Sequence, residues 1–556
     1  MLRKVELARL KTDVVRRTVV LLPTRLGVAW IAALAIAVAM VAGGQPAYAG
    51  NPVCEQFKAS YTGGSARVQT LEIDGRTVRV LLPSDYDRTT AAYPVLYLLH
   101  GSSANPDRFL VDTDLIAFTA DQPIGQQAIV VLPDGGQLPA WTDFPGSGRA
   151  DESFFVDRLV PRIDARYRTI ADGAHRAVAG FSLGGGGAIH LAARHPQLFA
   201  ATASFSGAVD FTPENSPRQA LFASGGGSFN SACEGDPAAV TRLGPHIDLV
   251  AHPLVFHNAS PTDLAGNLGN TAVALFSGDG TPCPGDPPKE AGGVVFEVDD
   301  HASTHRLDQA LTAEGVPHTF DDYGCGGHSY RFAERDIHAW WSTMTAAFGR
   351  PIPAVFDYRT ADPSAAAWGW SFQADAGRAG EFLDLRKASK NGFSLVGSGL
   401  TRVTTAPLFV PDKKVFLHGA TRRFAVADGT GRLTLSVDLG PAHTEEQYTA
   451  LGRLAATRPG YFTTRAVTFR PSAADKRSPK RMRRSRPRSA DTSRSPQRDP
   501  AAGPVRGRTS WAPDTVGSLL RTRARRWRSP AEVTTPGRPG RNLVVEQTHT
   551  LNQTGE

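Results

Sequence analysis

At 556 residues and 59.4 kDa the chain is longer than one ordinary domain and comfortable for two. Its 41% hydrophobic and 21% charged residues allow a sizeable buried core, which excludes wholesale disorder, a fibrous protein and a multi-span membrane protein. The net charge of +8 is unevenly spread: residues 472–556 hold 19 Lys+Arg against 7 Asp+Glu and residues 1–49 hold 7 against 2, leaving 35 against 44 in 50–471. The body is therefore acidic, and the basic balance of the whole chain is no sign of nucleic-acid binding.

Residues 1–49 read as an export signal. Lys4, Lys11, Arg16, Arg17 and Arg25 precede an apolar run from Leu26 to Ala42, and Ala47-Tyr48-Ala49 supplies the small-x-small pattern cleaved before Gly50. An uncleaved anchor is the alternative, and this segment is the chain's one expected contact with a membrane. Export implies an oxidising compartment, hence a secreted or cell-envelope protein. The four cysteines (Cys54, Cys233, Cys283, Cys325) lack C-x-x-C spacing, so they predict two disulfides, in any of three connectivities, rather than a metal site.

From Val68 to Phe348 strand-like and helix-like segments alternate, which predicts an α/β sheet. Val68–Ile73 and Val78–Leu82 flank Asp74-Gly75, a hairpin signal. Pro94–Leu99 and Ala128–Leu132 are short apolar runs suited to a buried sheet. Glu152–Tyr167 has helical spacing with Pro161 inside it. Arg176–Gly180, Ala200–Phe205, Ala272–Ser277 and His318–Tyr323 read as strands, and Gly184–His195, Ala302–Glu314 and Arg331–Phe348 as helices.

Between strand and helix lies Gly180-Phe181-Ser182-Leu183-Gly184, a G-x-S-x-G. A serine on a sharp strand-to-helix turn is exposed as a nucleophile, and glycines two before and two after avoid Cβ clashes with neighbouring elements. Ser182 is the predicted nucleophile. In such sites the acid and then the histidine follow in chain order, the histidine after the last strand. His328, in Gly324-Cys325-Gly326-Gly327-His328, holds that place. His190 and His195 read as helix-surface or cap residues, and His301 and His305 as structural or substrate-side. Two acids are open: Asp279, after the strand ending at Ser277, and Glu297, 31 residues before His328. Asp299 and Asp300 read as helix N-terminal charges. The oxyanion donors are expected to be the N–H groups of Leu183 and of Ser102, in His100-Gly101-Ser102-Ser103.

Five segments carry a resemblance: YPVLYLLHGSSANPDRF, AIVVLPDGG with WTDF, DESFFVDRLVPRIDARYRT, RAVAGFSLGGGGAIHLAARHPQLFAATASFSG and GCGGHSY. Over about residues 65–348 the chain resembles the esterase D-like group of α/β-hydrolases, which includes secreted mycolyltransferases. The resemblance implies an α/β-hydrolase fold and acyl-ester chemistry with no metal and no organic cofactor. In the mycolyltransferase-like branch the acid is a glutamate some thirty residues before the histidine, which favours Glu297; the esterase branch implies an aspartate near 279. Tyr330 stands where trehalose-specific members have tryptophan, and Gly101-Ser102-Ser103-Ala104 lacks their arginine, so trehalose specificity is not implied. Cys283 and Cys325 fall in loops at the ends of strands expected to be neighbours, which favours that bridge and leaves Cys54–Cys233.

After Arg350-Pro-Ile-Pro353 the pattern changes. Short apolar runs in 355–471 separated by Gly/Asp turns predict a β-sandwich-like domain. Its Tyr358, Trp368 and Trp370 read as core aromatics rather than a sugar- or lipid-binding face. Residues 472–556, including KRSPKRMRRSRPRS, are too charged and too poor in apolar residues to offset the entropy of ordering, and read as a disordered basic tail. The expected organisation is thus a signal (1–49), a catalytic domain (50–350), a β-rich domain (355–471) and the tail. The functional expectation is an exported serine esterase acting on acyl esters. An acyltransferase onto a cell-envelope lipid or sugar and a non-catalytic envelope-binding protein are the alternatives, and no nucleic-acid partner is expected. Since the tail adds only diffuse positive charge, a chain truncated after Pro471 is expected to keep its full kcat/KM on a soluble short-chain ester while losing salt-sensitive adhesion to anionic surfaces.

Overall fold

The computed structural model describes residues 58–136, 139–144, 150–217, 219–220, 252–284 and 294–471. The expected signal, the basic tail and the Cys54–Cys233 pair lie outside them. No helix among the described residues is long and apolar enough to cross a membrane.

Eight strands form one sheet: β1 (Val68–Ile73), β2 (Arg76–Leu81), β3 (Val95–Leu99), β4 (Ile129–Pro133), β5 (Arg176–Phe181), β6 (Ala201–Phe205), β7 (Ala272–Ser277) and β8 (His318–Asp322), in the order β1-β2-β4-β3-β5-β6-β7-β8. β1, β2 and β4 pair antiparallel, and β4-β3-β5-β6-β7-β8 pair parallel. The β3/β4 exchange and the parallel run through β8 are the topology of an α/β-hydrolase sheet. β1 and β2 meet through Asp74 (φ 50°) and Gly75 (φ 76°), as the Asp-Gly signal predicts. The central strands are buried on both faces, so their apolar runs show no alternation. Separate apolar clusters fill the two sides. One gathers Tyr97, Phe155, Leu191 and Phe199; the other gathers Phe109, Phe205, Trp340 and Trp341.

Three helices position the site: α1 (Leu183–Arg194), α2 (Val294–Ala313) and α3 (Tyr330–Ala347). α2 starts eight residues earlier than the sequence pattern suggests, which puts Glu297 inside its first turn. The segment around Pro161 does not break. Phe155–Leu159 forms a π turn before the helix Val160–Arg166, which absorbs the missing proline N–H and its ring.

Residues 356–471 form two antiparallel sheets. Four strands run in the order β10 (Ser364–Ala367), β11 (Trp370–Gln373), β14 (Leu400–Thr404), β17 (Thr434–Asp438). Six run β16 (Phe424–Val426), β15 (Lys414–His418), β18 (Thr463–Pro471), β13 (Gly392–Gly397), β12 (Leu383–Ser389), β9 (Phe356–Thr360). Both contribute to one apolar core containing Tyr358, Trp370, Phe372, Leu395, Val437 and Phe469, with Trp368 packed on its margin, so the sandwich aromatics are packing residues.

This sandwich is fastened to the hydrolase part through β9. The Asn267 side chain donates to the Arg359 carbonyl at 2.9 Å and accepts from its N–H at 2.6 Å, imitating a neighbouring strand. Asn258 accepts from the Ala361 N–H and donates to Asp362. Tyr358 donates its hydroxyl to the Arg194 carbonyl at 3.0 Å. The largely buried Arg194 guanidinium then joins Glu152 at 3.1 Å to Asp362 at 2.8 Å. Burial alone would raise the Glu152 carboxyl, but Arg194 and hydrogen bonds with His190 and His195 hold it well below its usual range. The two histidines read as surface or cap residues are therefore partners of this buried acid: His190 is fully enclosed and lies 3.1 Å from it, His195 2.8 Å. Removing the cation takes from both carboxylates the positive charge they share, leaving Glu152 only its histidines and Asp362 only neutral donors, which costs about 3 kcal/mol. Arg194→Met is expected to destabilise by about that much in urea unfolding, and Asp362→Asn by less, because Glu152 keeps its other partners.

Candidate active site

β5 ends at Phe181 and α1 begins at Leu183, so Ser182 alone makes the turn, with φ 59° and ψ −125°. Such a conformation is strained for a side-chain-bearing residue and persists only where the surroundings impose it. The flanking glycines show how. A Cβ on Gly180 would lie 2.4 Å from the Gly184 carbonyl carbon and oxygen, and one on Gly184 would lie 2.1 Å from the Leu99 carbonyl oxygen. The motif is a steric requirement of β3, β5 and α1 meeting at one point.

His328 Nδ1 lies 2.8 Å from Glu297 Oε2. Glu297 is wholly inaccessible to solvent, so an ionised carboxylate there needs compensation. Its other oxygen, Oε1, accepts from the Ser206 hydroxyl at 2.7 Å, the Gly278 N–H at 2.9 Å and the Ser277 hydroxyl at 3.2 Å. These donors come from the ends of β6 and β7. Asp279 instead spends its carboxylate on a local turn, accepting the Thr281 N–H at 2.7 Å and hydroxyl at 2.5 Å. Asp300 is more than a helix-end charge. It is buried, held by Gln219 at 2.8 Å, and its Oδ2 lies 3.5 Å from His328 Nδ1, so a second carboxylate stands beside the imidazole. The Phe181 ring covers His328 at 4.6 Å between centroids.

The base loop is tied covalently and by backbone to the loop after β7, the strand whose end donates to the acid. Cys283 and Cys325 form a disulfide, Gly326 N–H donates to the Thr281 carbonyl at 2.7 Å, and Gly280 N–H donates to the Gly326 carbonyl at 3.0 Å.

The segments expected to supply the oxyanion donors both reach Ser182. Leu183 opens α1, so its N–H has no acceptor within the helix. Gly101 approaches so closely that a Cβ there would lie 2.8 Å from Ser182 Cβ. The buried His100 sets this loop's orientation. Gly135 N–H donates to His100 Nε2 at 3.0 Å, leaving the proton on Nδ1, which donates to the Gly101 carbonyl at 2.8 Å. In a trans peptide the next N–H points the opposite way, so the Ser102 N–H is turned from His100. Tyr330 adds a contact that sequence reading missed: its buried hydroxyl accepts the Gly101 N–H at 3.4 Å, linking α3 to the oxyanion loop, and burial pushes the phenol up. Ser206, Ser277 and Asp300 were likewise not legible as site residues, because nothing local marks a serine or aspartate that serves a distant glutamate.

Residues 73–248 match the family described as "Putative esterase". This match and the relatives below support an esterase/mycolyltransferase-like α/β-hydrolase family for this part of the chain. Esterase Rv1288 of Mycobacterium tuberculosis is 32% identical over 269 residues, 46% of this chain and 52% of that protein. The chain thus spans about half the length of this curated relative. The diacylglycerol acyltransferase/mycolyltransferase Ag85B of Mycobacterium leprae is 27% identical over 284 residues, 48% of this chain and 79% of that protein. Among solved structures, Mycobacterium tuberculosis MPT51 aligns over 51% of this chain and 100% of its own at 20% identity, with a TM-score of 0.40.

The hydrogen bonds of Glu297 predict a sharp asymmetry between the two acids. Glu297→Gln is expected to lower kcat by about 10⁴-fold, since an amide no longer selects the imidazole tautomer or stabilises the imidazolium. Asp279→Asn should stay within about threefold of wild type, less than one kcal/mol of barrier. Steady-state kinetics of both variants on one ester decides between them, and a dead Asp279→Asn beside a near-normal Glu297→Gln would reverse the assignment.

Proposed function

We propose that the chain is an exported serine esterase that cleaves carboxylic esters through an acyl-enzyme. Ser182 Oγ attacks the ester carbonyl while His328 Nε2 removes its proton; Glu297 holds Nδ1–H and balances the imidazolium; Leu183 and Ser102 N–H groups receive the oxyanion. Collapse of the tetrahedral intermediate expels the alcohol, which takes the proton from His328. Water, activated by the same histidine, then hydrolyses the acyl-Ser182 ester. These steps call for no metal or organic cofactor. The carrying observation is the shielded His328–Glu297 pair, with His328 packed on the ring of Phe181, the residue that precedes a serine held at φ 59°. A protein that only bound the envelope would have no use for that strain. Export rests on the N-terminal signal pattern and agrees with the Cys283–Cys325 disulfide.

Transfer of the acyl group to a cell-envelope sugar or lipid hydroxyl is the second reading. It differs only in what reaches the acyl-enzyme, and the name of the Mycobacterium leprae relative favours it. So does the apolar rim beside the base: Phe296, 42% exposed, lies 6.0 Å from His328 by ring centroids, and Val298 is 51% exposed. An acyl chain could lie on such a surface.

Ser182→Ala is expected to lower kcat by about 10⁴-fold or more and to abolish labelling by a fluorophosphonate probe. Stoichiometric labelling of that variant would remove Ser182 from the mechanism. A p-nitrophenyl ester chain-length series with and without a sugar acceptor separates the readings. Release of p-nitrophenol with free acid as the only acyl product indicates hydrolysis; an acylated sugar indicates transfer.

A further inference from the structure

We propose that His301, His305 and Asp322 form a site for one divalent transition-metal ion of the zinc class, clamping α2 to the edge strand β8. The two histidines are four residues apart on α2 and so share one face of it. Asp322 is the last residue of β8. Both imidazoles turn the same atom toward it: His301 Nε2 lies 3.1 Å from Oδ1 and His305 Nε2 lies 3.1 Å from Oδ2. One donor atom from each residue falls within 4.8 Å of the other two, the sole such trio of His, Cys, Asp or Glu among the described residues.

The dimensions and the donor set suit this class of ion. Bonds of about 2.0–2.1 Å in a tetrahedron put neighbouring ligand atoms about 3.3–3.4 Å apart, close to the 3.1 Å between each imidazole nitrogen and its own carboxylate oxygen, and small side-chain rotations bring the trio, already within 4.8 Å, to that spacing. Two imidazoles and a carboxylate favour Zn²⁺, Ni²⁺, Co²⁺ or Cu²⁺ over Mg²⁺ and Ca²⁺, which prefer oxygen ligands throughout. Solvent exposure of the trio supplies an entry path and a place for water as the fourth ligand.

The supporting contacts hold the ligands in place. The Gly324 N–H donates to the Asp322 carboxylate. The His305 ring packs edge-on against Phe320 at 5.0 Å, two residues before Asp322 on the same face of β8, and the two imidazoles meet edge-to-face at 4.5 Å. Without an ion, exposed His–Asp pairs of this kind contribute little to stability. With an ion, the cluster becomes a cross-link.

Its place in the fold gives that cross-link a purpose. His301 is one helical turn beyond Glu297 on α2. Asp322 pairs in register with Ser277, which donates to Glu297, and stands six residues before His328. A metal would therefore tie the helix bearing the acid to the strand leading into the base loop, a tie separate from that of the disulfide. None of the three ligands touches the reacting atoms, so the ion acts on stability and positioning rather than on the chemical step.

The test uses the full chain, stripped with EDTA and titrated with Zn²⁺ by calorimetry, with Co²⁺ absorption as a second readout of coordination. Wild type is expected to bind one equivalent, with Mg²⁺ and Ca²⁺ giving no comparable site, and Zn²⁺ should raise its thermal midpoint. His301→Ala and His305→Ala should each weaken binding more than about 10-fold and remove the thermal shift. Asp322→Asn, which keeps shape and hydrogen-bonding capacity, covers the case of an alanine variant that fails to fold, and His338→Ala, whose carboxylate partner is Asp114, serves as the control that leaves binding unchanged. A wild-type titration with no saturable site, or binding that persists undiminished in the variants, overturns the proposal.

Discussion

A carboxylate with no solvent contact is the constraint on which the hydrolase part depends. The burial of Glu297 is compensated by three donors to one of its oxygens and by His328 at the other. Those donors sit at the carboxyl ends of β6 and β7 and in the loop after β8, so the register of three parallel strands must be right before the charge is compensated. The disulfide and the backbone bonds between Thr281, Gly280 and Gly326 hold two of these elements together beyond the ends of β7 and β8.

The nucleophile is governed by the same crowding seen from the other side. β3, β5 and α1 converge so tightly that side chains at 180 and 184 would enter neighbouring carbonyls. Space for the strained serine is obtained by removing Cβ atoms around it. The oxyanion loop then leans on Ser182 through Gly101, with His100 and Tyr330 fixing its two peptide faces. Loops distant in sequence thus meet around Ser182, the kind of preorganised surrounding that the proposed oxyanion donors call for.

The sandwich is fastened to the back of this assembly by polar groups as well as by apolar packing. Phe382 enters the hydrolase's own core cluster, while Asn258 and Asn267 satisfy the exposed edge of β9 and Arg194 bridges acids from both parts. An edge strand covered this way is protected from pairing with other chains. The Pro351–Pro353 segment marks a change of pattern in the sequence, yet the contacts across it are those of one continuous body.

The sequence by itself determined the α/β alternation, the elbow at Ser182, the position of His328 after the last strand and the β-rich character of 355–471. Each of these is written in short-range terms: a period, a turn dipeptide, a glycine spacing. It also brought the acid down to two residues, and only resemblance leaned toward Glu297. The tertiary structure decided what could not be local. It set Glu297 against His328 across 31 residues, Ser206 against Glu297 across 91, Gly101 against Tyr330 across 229 and Asn267 against Arg359 across 92. It likewise turned His301 and His305 toward Asp322. Such pairings follow from strand order and from where α2 begins, and a hydrogen-bond donor aimed at a distant partner has the same local sequence as one aimed at water.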